Sequence, residues 1–191
     1  MNVALLGVLD WFELRIPVLE RVRRATALAR GRALLAGCEV GDHVLVHGAL
    51  HGALEVERHG RLVVGSRSVF VAGPFPTTLH VERAGTLEIG QDCYFNYGVH
   101  FEVRHRVRLG QRCMFGSYVQ VDDAPGKPVI FGHDVWVAHG AVINPGVTIG
   151  DGAVIGAGSV VTTDVPAGMM AIGNPARMMS QRLSVPGDPH A

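Results

Sequence analysis

Between Phe131 and Val165 a large apolar side chain returns at every sixth position: Phe131, Val137, Ile143, Ile149, Ile155 and Val161. Four residues after each stands a small or β-branched one: Val135, Ala141, Val147, Ala153, Ser159 and Val165. Gly or another turn-tolerant residue follows most of the first set, as in Gly132, Asn144, Gly150 and Gly156. A period of six matches neither the 3.6 of a helix nor the alternation of a simple hairpin. It is the period of a parallel β-helix. Each hexad supplies a short strand with one large and one small side chain turned inward, then a corner where Gly relieves the backbone.

Weaker hexads carry the pattern toward the N-terminus, at Val40-Gly41, Val46-His47, Val64-Gly65 and Phe70. The stretch from Val71 to Thr86, with Gly73-Pro74-Phe75-Pro76, breaks the period and predicts an interruption or protruding loop. Hexads resume at Ile89-Gly90, Phe95-Asn96 and Phe101-Glu102. Two extra residues precede Leu109-Gly110, and a second irregularity, Asp123 to Val129, separates Val121 from Phe131. With three hexads per coil, Asn96-Tyr97, Gly116-Ser117, Ala138-His139 and Gly156-Ala157 form one column of corners. The Glu102 to His105 bend, Asp122-Asp123, Asn144-Pro145 and Thr162-Thr163 form another. The chain then divides into an N-terminal helical segment (1–35), an all-β β-helix domain (36–166) and a C-terminal segment (167–191). The last segment is expected to hold a short helix around Arg177 to Leu183 and a disordered tail from Val185.

A length of 191 residues suits one domain. Formal net charge is zero, so composition makes no electrostatic case for nucleic acid. Cys93 and Cys113 fall at small inward positions, four after Ile89 and Leu109, as stacked core thiols. With Cys38 the count is odd and forms no metal or redox motif, which fits a reducing cytoplasm. Asp10 interrupts the apolar stretch Val3 to Leu9 with no basic residue before it, so no signal peptide is read there. Residues 3–30 read as an amphipathic helix in which Leu14, Val18, Leu19 and Val22 alternate with Arg15, Arg21, Arg23, Arg24 and Arg30. Such a helix caps the first coil or packs on a neighbouring subunit; the sharper reading is peripheral contact with an anionic membrane.

Four words carry a resemblance to a known family. They are Pro128 to Trp136 (PVIFGHDVW), Asn144 to Gly152 (NPGVTIGDG), Ile155 to Thr162 (IGAGSVVT) and Gly173 to Arg177 (GNPAR). In these the chain resembles the hexapeptide-repeat acyltransferases, nearest to the bacterial sugar and polysaccharide O-acetyltransferases, a group alongside the galactoside, maltose and xenobiotic enzymes. The resemblance implies a left-handed β-helix, an exception to the usual right-handed crossover. It also implies acetyl-CoA or another acyl-CoA as co-substrate, no metal, and a sugar or glycan hydroxyl as acceptor. A homotrimer is expected, because one prism offers no concave pocket whereas a groove between two does.

In that family a histidine, in the loop directly after the hexad matching Val121, is the general base for the attacking hydroxyl. Here the loop is Asp122-Asp123-Ala124-Pro125-Gly126-Lys127. Asp123 matches the first aspartate of an Asp-x-Asp-x-His word, but Pro125 and Lys127 stand where the second aspartate and the histidine belong. His139 becomes the candidate base, oriented across a trimer interface by Asp122 and Asp123 of the neighbour. His100 is read chiefly as an outward face residue. His133 is read as a turn residue, and histidines 43, 47, 51, 59, 80 and 105 as solvated. For the acceptor, Asn96 matches a sugar-binding asparagine, while Arg104 replaces its partner aspartate and suggests a different, acidic acceptor; His100 completes the set. For the CoA arm the matching positions are Trp136, Ala157, Thr162 and the backbone from Gly156 to Ser159, with Thr163 where a lysine is usual. Two other functions stay open. One is a non-catalytic scaffold member of the fold, which the missing loop histidine favours. The other is a γ-class carbonic anhydrase-like metal site, for which Val137-Ala138-His139 would need a second histidine at Asn144.

Overall fold

A computed structural model describes residues 17–47 and 54–180. Helix α1 spans Pro17–Leu34, and twenty strands follow among the described residues. The first seven are β1 (Glu39–Val40), β2 (Leu45–His47), β3 (Leu54–Arg58), β4 (Arg61–Val64), β5 (Val69–Val71), β6 (Thr77–Val81) and β7 (Thr86–Ile89). Then come β8 (Tyr94–Phe95), β9 (His100–Val103), β10 (Arg106–Leu109), β11 (Met114–Phe115), β12 (Gln120–Asp122), β13 (Val129–Phe131) and β14 (Trp136–Val137). The last are β15 (Val142–Ile143), β16 (Thr148–Ile149), β17 (Val154–Ile155), β18 (Val160–Val161), β19 (Met169–Ile172) and β20 (Arg177–Ser180).

Up to β18, each strand lies beside the one three places later, so three strands complete one coil and three parallel sheets wall a triangular prism. Sheet 1 runs β1-β4-β7-β10-β13-β16, sheet 2 runs β2-β5-β8-β11-β14-β17-β19-β20, and sheet 3 runs β3-β6-β9-β12-β15-β18. The registers realise the hexad columns: Phe115 pairs with Val137, Val137 with Ile155, and Val121 with Ile143. All six large hexad residues between Phe131 and Val161 are buried. Inside the prism Phe95 stacks between Phe70 and Phe115, with ring centroids 4.7 and 5.2 Å apart. Cys93 and Cys113 are buried and free, with their thiols directed at the carbonyls of Gly110 and Gly132 (3.3 and 3.2 Å).

Glycine at the corner after each sheet 1 strand lets coils stack at strand spacing. A Cβ on Gly110 would collide with the carbonyl of Gly132 one coil on. α1 packs on β2 through Ala27 and Gly31, while Leu35 just past its end joins the core, and a Cβ on Gly31 would sit 2.6 Å from the Val44 carbonyl. The helix therefore covers the first coil. Residues 1–16, including the Val3 to Leu9 stretch, lie outside the described residues. Among the described residues no helix is long and apolar enough to cross a membrane.

Two expectations are corrected. The interruption between Val71 and Thr86 is confined to residues 72–76, because β6 takes its place in sheet 3. Thr77, Leu79 and Val81 alternate inward, so this wall is written with a period of two rather than with a Gly-cornered hexad. At the C-terminus the sheet extends past 166: β19 pairs with β17, Ala171 against Ile155. Arg177–Ser180, the start of the expected helix, is instead β20, antiparallel to β19 and pairing its edge. Residues 181–191, with the expected tail, lie outside the described residues.

Candidate active site

The corners after the sheet 2 strands form one straight edge. Asn96 N–H donates to the Phe115 carbonyl, Gly116 N–H to Val137, and Ala138 N–H to Ile155, each at 2.8–2.9 Å. One residue further, the carbonyls of Ser117 and His139 accept from Gly140 and Gly158 (both 2.8 Å). His139 is exposed at this edge, and its ring meets Tyr118 edge-on, centroids 5.5 Å apart at 84°. Asn96 is half-buried, and its Oδ1 accepts from the Tyr97 N–H (2.9 Å). That bond fixes the amide and leaves its Nδ2 as the donor end.

The candidate CoA positions divide by exposure. Trp136 stands outward from β14, 52% exposed. Ala157, Thr162 and Thr163 are exposed corner residues, and Gly156 is half-buried beneath Ile172. Ser159, expected to line the CoA arm through its backbone, has a fully buried side chain whose Oγ accepts from the Gly173 N–H (3.1 Å), while its carbonyl accepts from Val142 N–H (2.8 Å). The reason lies in the hexad itself, which assigns Ser159 to the small inward position.

Asp122 and Asp123 belong to the edge after sheet 3, at the far end of that sheet from His139, so one chain does not bring them together. Asp122 is half-buried and in register with Glu102. Asp123 is a correction. Its side chain is fully buried, and its carboxylate accepts three backbone donors: Arg104 N–H at Oδ1 (2.6 Å), and the N–H groups of His105 (2.9 Å) and Arg106 at Oδ2. Those donors line the two-residue insertion before Leu109, whose amides have lost their ladder partners. Asp123 holds that bend and cannot turn to a neighbour's imidazole. Only Asp122 remains for that role.

On the outer face of sheet 3 a cluster forms around Glu102. His80 Nδ1 lies 2.9 Å from Glu102 Oε2, and His100 Nε2 lies 3.6 Å from the same oxygen. His100 Nδ1 is 2.5 Å from Thr78 Oγ1. Arg104 reaches Glu102 (3.4 Å) and Glu82 (3.5 Å) and donates to the Asp123 carbonyl (3.1 Å). The hydrogen bond to Glu102 raises the His80 pKa above the ordinary histidine value, with burial opposing it. Arg104 is thus already neutralised, and the acidic acceptor suggested by its presence loses its support. The cluster escapes a reading of hexads one at a time; its signal is the register of β6 on β9, which sets His80 against Glu102. Among the described residues no group of three or more His, Cys, Asp or Glu side chains is arranged to hold a metal ion.

A prism of hexad coils, three parallel strands to the turn, defines a class, the parallel β-helix proteins. The comparisons give the family. The description "Bacterial transferase hexapeptide (six repeats)" matches residues 128–163. Nodulation protein L of Rhizobium meliloti is 38% identical over 135 residues, which cover 63% of this chain and 71% of that protein. Two solved structures share the fold. AntD, an N-acyltransferase from Bacillus cereus solved with dTDP and coenzyme A, superposes with a TM-score of 0.64 at 18% identity, covering 76% of this chain and 86% of that one. NeuO, a polySia-specific acetyltransferase, superposes at 0.56 with 24% identity, covering 75% of this chain and 63% of that one. The chain belongs to the hexapeptide-repeat acyltransferases, with their left-handed parallel β-helix.

Proposed function

We propose that this acyltransferase moves an acetyl group from acetyl-CoA to a hydroxyl of a sugar or glycan intermediate, in a groove between two subunits of a cytoplasmic homotrimer. The observation that carries the reading is the exposed His139 on the same edge as Gly156 and Ala157, one coil from the bare Gly158 turn. AntD, with coenzyme A bound, supports the donor, and NeuO, specific for polySia, supports a glycan acceptor.

In this reading His139 takes the proton of the acceptor hydroxyl as its oxygen attacks the thioester carbonyl. The tetrahedral intermediate collapses with cleavage of the C–S bond, and the imidazolium returns the proton to the departing thiolate. Asp122 of the adjacent subunit orients the ring, Asn96 donates to an acceptor oxygen, and Trp136, Ala157, Thr162 and Thr163 flank the CoA arm. The arginines of α1 support peripheral contact with an anionic surface.

His139→Ala tests the reading. Turnover should fall by about 10²–10⁴ while CoA affinity and melting temperature hold. Ala157→Trp should instead abolish CoA binding in a folded protein. A second reading gives the base to His100, whose Nε2 lies 3.6 Å from the Glu102 carboxylate of its own chain. Full activity in His139→Ala with loss in His100→Ala would select it.

A further inference from the structure

Four turns on the edge beside His139 share one backbone conformation, and three of them spell it with glycine. Gly98, Gly140 and Gly158 take φ of 70°, 65° and 64°; Tyr118 takes 60°. The neighbouring edge fills the same left-handed position with side chains such as Arg67 and Arg112, but on this edge Tyr118 is the one side chain among glycines. Aromatic contacts hold it there. The Tyr118 ring meets His139 on one side (5.5 Å), Tyr97 on another (5.4 Å, 87°) and Phe75 on a third (5.9 Å, 63°). Two glycines clear space for these rings. A Cβ on Gly73 would enter the Tyr97 ring, and a Cβ on Gly98 would come within 2.8 Å of Tyr118 Cδ1. Phe75, on the loop that leaves the wall before β6, is 58% exposed. A partly exposed cluster of three aromatic rings set edge to face therefore runs up to the imidazole, with the fixed amide of Asn96 next to Tyr97.

From this we infer that Phe75, Tyr97 and Tyr118 form the acceptor platform, and that its occupant is the apolar face of a pyranose ring. The inference rests on the reading of His139 as base and adds what decides which acceptors it serves. The edges and faces of the three rings match the C–H face of a neutral sugar. The nearby amide donor suits a ring hydroxyl. Tyr118 also acts as a positioning residue, because its edge contact limits how the His139 ring can turn.

The test uses the full chain with methyl pyranosides and the linear polyol sorbitol as acceptors, acetyl-CoA as donor, and saturation-transfer NMR of the pyranosides as a readout free of turnover. Tyr118→Gly installs the residue that neighbouring coils use, so the melting temperature should hold. Transfer to the pyranosides, as kcat/KM, should fall roughly tenfold or more. Transfer to sorbitol, which reads only the loss of His139 positioning, should fall less than transfer to the pyranosides, and CoA affinity should be little changed. Tyr118→Phe should keep the pyranoside preference. Phe75→Ala, which removes an exposed ring, should raise the pyranoside KM more than it lowers kcat. Pyranoside saturation that depends on Tyr118 in a protein without turnover would uphold the platform and remove the proposed reaction. Equal pyranoside kcat/KM in wild type and Tyr118→Gly, or no pyranoside contact with wild type by either readout, would overturn the platform.

Discussion

On the edge between sheets 1 and 2 the left-handed position of successive coils holds His43, Arg67, Asp92, Arg112 and Asp134, then Gly152 and Gly168; between sheets 2 and 3 it holds Gly98, Tyr118, Gly140 and Gly158. The turn is the same, and through the coils up to Asp134 the chemistry is opposite. Along the first edge Arg67 pairs bidentately with Asp92 (2.6 Å on both arms) and Arg112 with Asp134 (2.7 and 2.8 Å). The Arg112 hydrogen bonds hold the Asp134 carboxyl below its ordinary value. This edge spends its charges on itself. Along the second, a Cβ at Gly140 or Gly158 would meet nothing within 4 Å, and the bare backbone stands beside an exposed histidine. Where a ligand must approach closely, missing side chains are more useful than paired ones.

The strongest break comes from the third edge. Asp123→Ala removes one acceptor from three backbone donors, and should cost roughly 2–4 kcal/mol by denaturant unfolding, since each orphaned amide must find water or stay unpaired. Asp122→Ala should leave stability nearly untouched. Equal effects at the two positions would return Asp123 to the candidate site.

Next comes a pair of glycines. Gly110→Ala forces a methyl against the Gly132 carbonyl and should cost about 1–3 kcal/mol. Gly140→Ala meets only the left-handed penalty, on the order of 1 kcal/mol. Its effect should appear instead in catalysis. A Gly140 variant that loses stability like Gly110 would show that the second edge is packed rather than open.

The smallest effect concerns pH. His80 has a raised pKa because of its hydrogen bond to Glu102, with Glu57 and Glu82 adding to it and burial opposing. A raised folded-state pKa contributes stability that is full below the ordinary histidine value and is lost as pH rises through the folded one. Melting temperatures from pH 5 to 9 should therefore fall slightly across and above the usual histidine range, and His80→Gln should flatten that slope. An unchanged slope would show that the pair is screened by solvent.

The coils from Phe131 to Val165 were legible because each residue there satisfies inward size and corner chemistry at once. Column counting also reached the right neighbours for His139, Gly116 and Gly156, since it needs only the period. Other residues hid for physical reasons. β6 reads as a broken hexad because its inward side chains alternate without a glycine corner. The His80, Glu102 and His100 cluster joins residues a whole coil apart, across an insertion whose length had first to be known. Asp123 looked catalytic because a sequence shows a carboxylate but not the amides waiting for it. Tyr118 gives no sign of its left-handed turn in one dimension; only its glycine counterparts one coil away reveal it.

A winding of identical coils carries no ruler, for every finished turn offers the next one a template. In sheet 2 that template is covered at Arg177, where β20 runs against the direction of all the strands before it. A reversed strand cannot be followed by another coil of the same sense, nor does it present the parallel edge that a second molecule's first coil would match. The few residues of β20 thus act as punctuation for this wall, giving a polymer-like architecture a defined length.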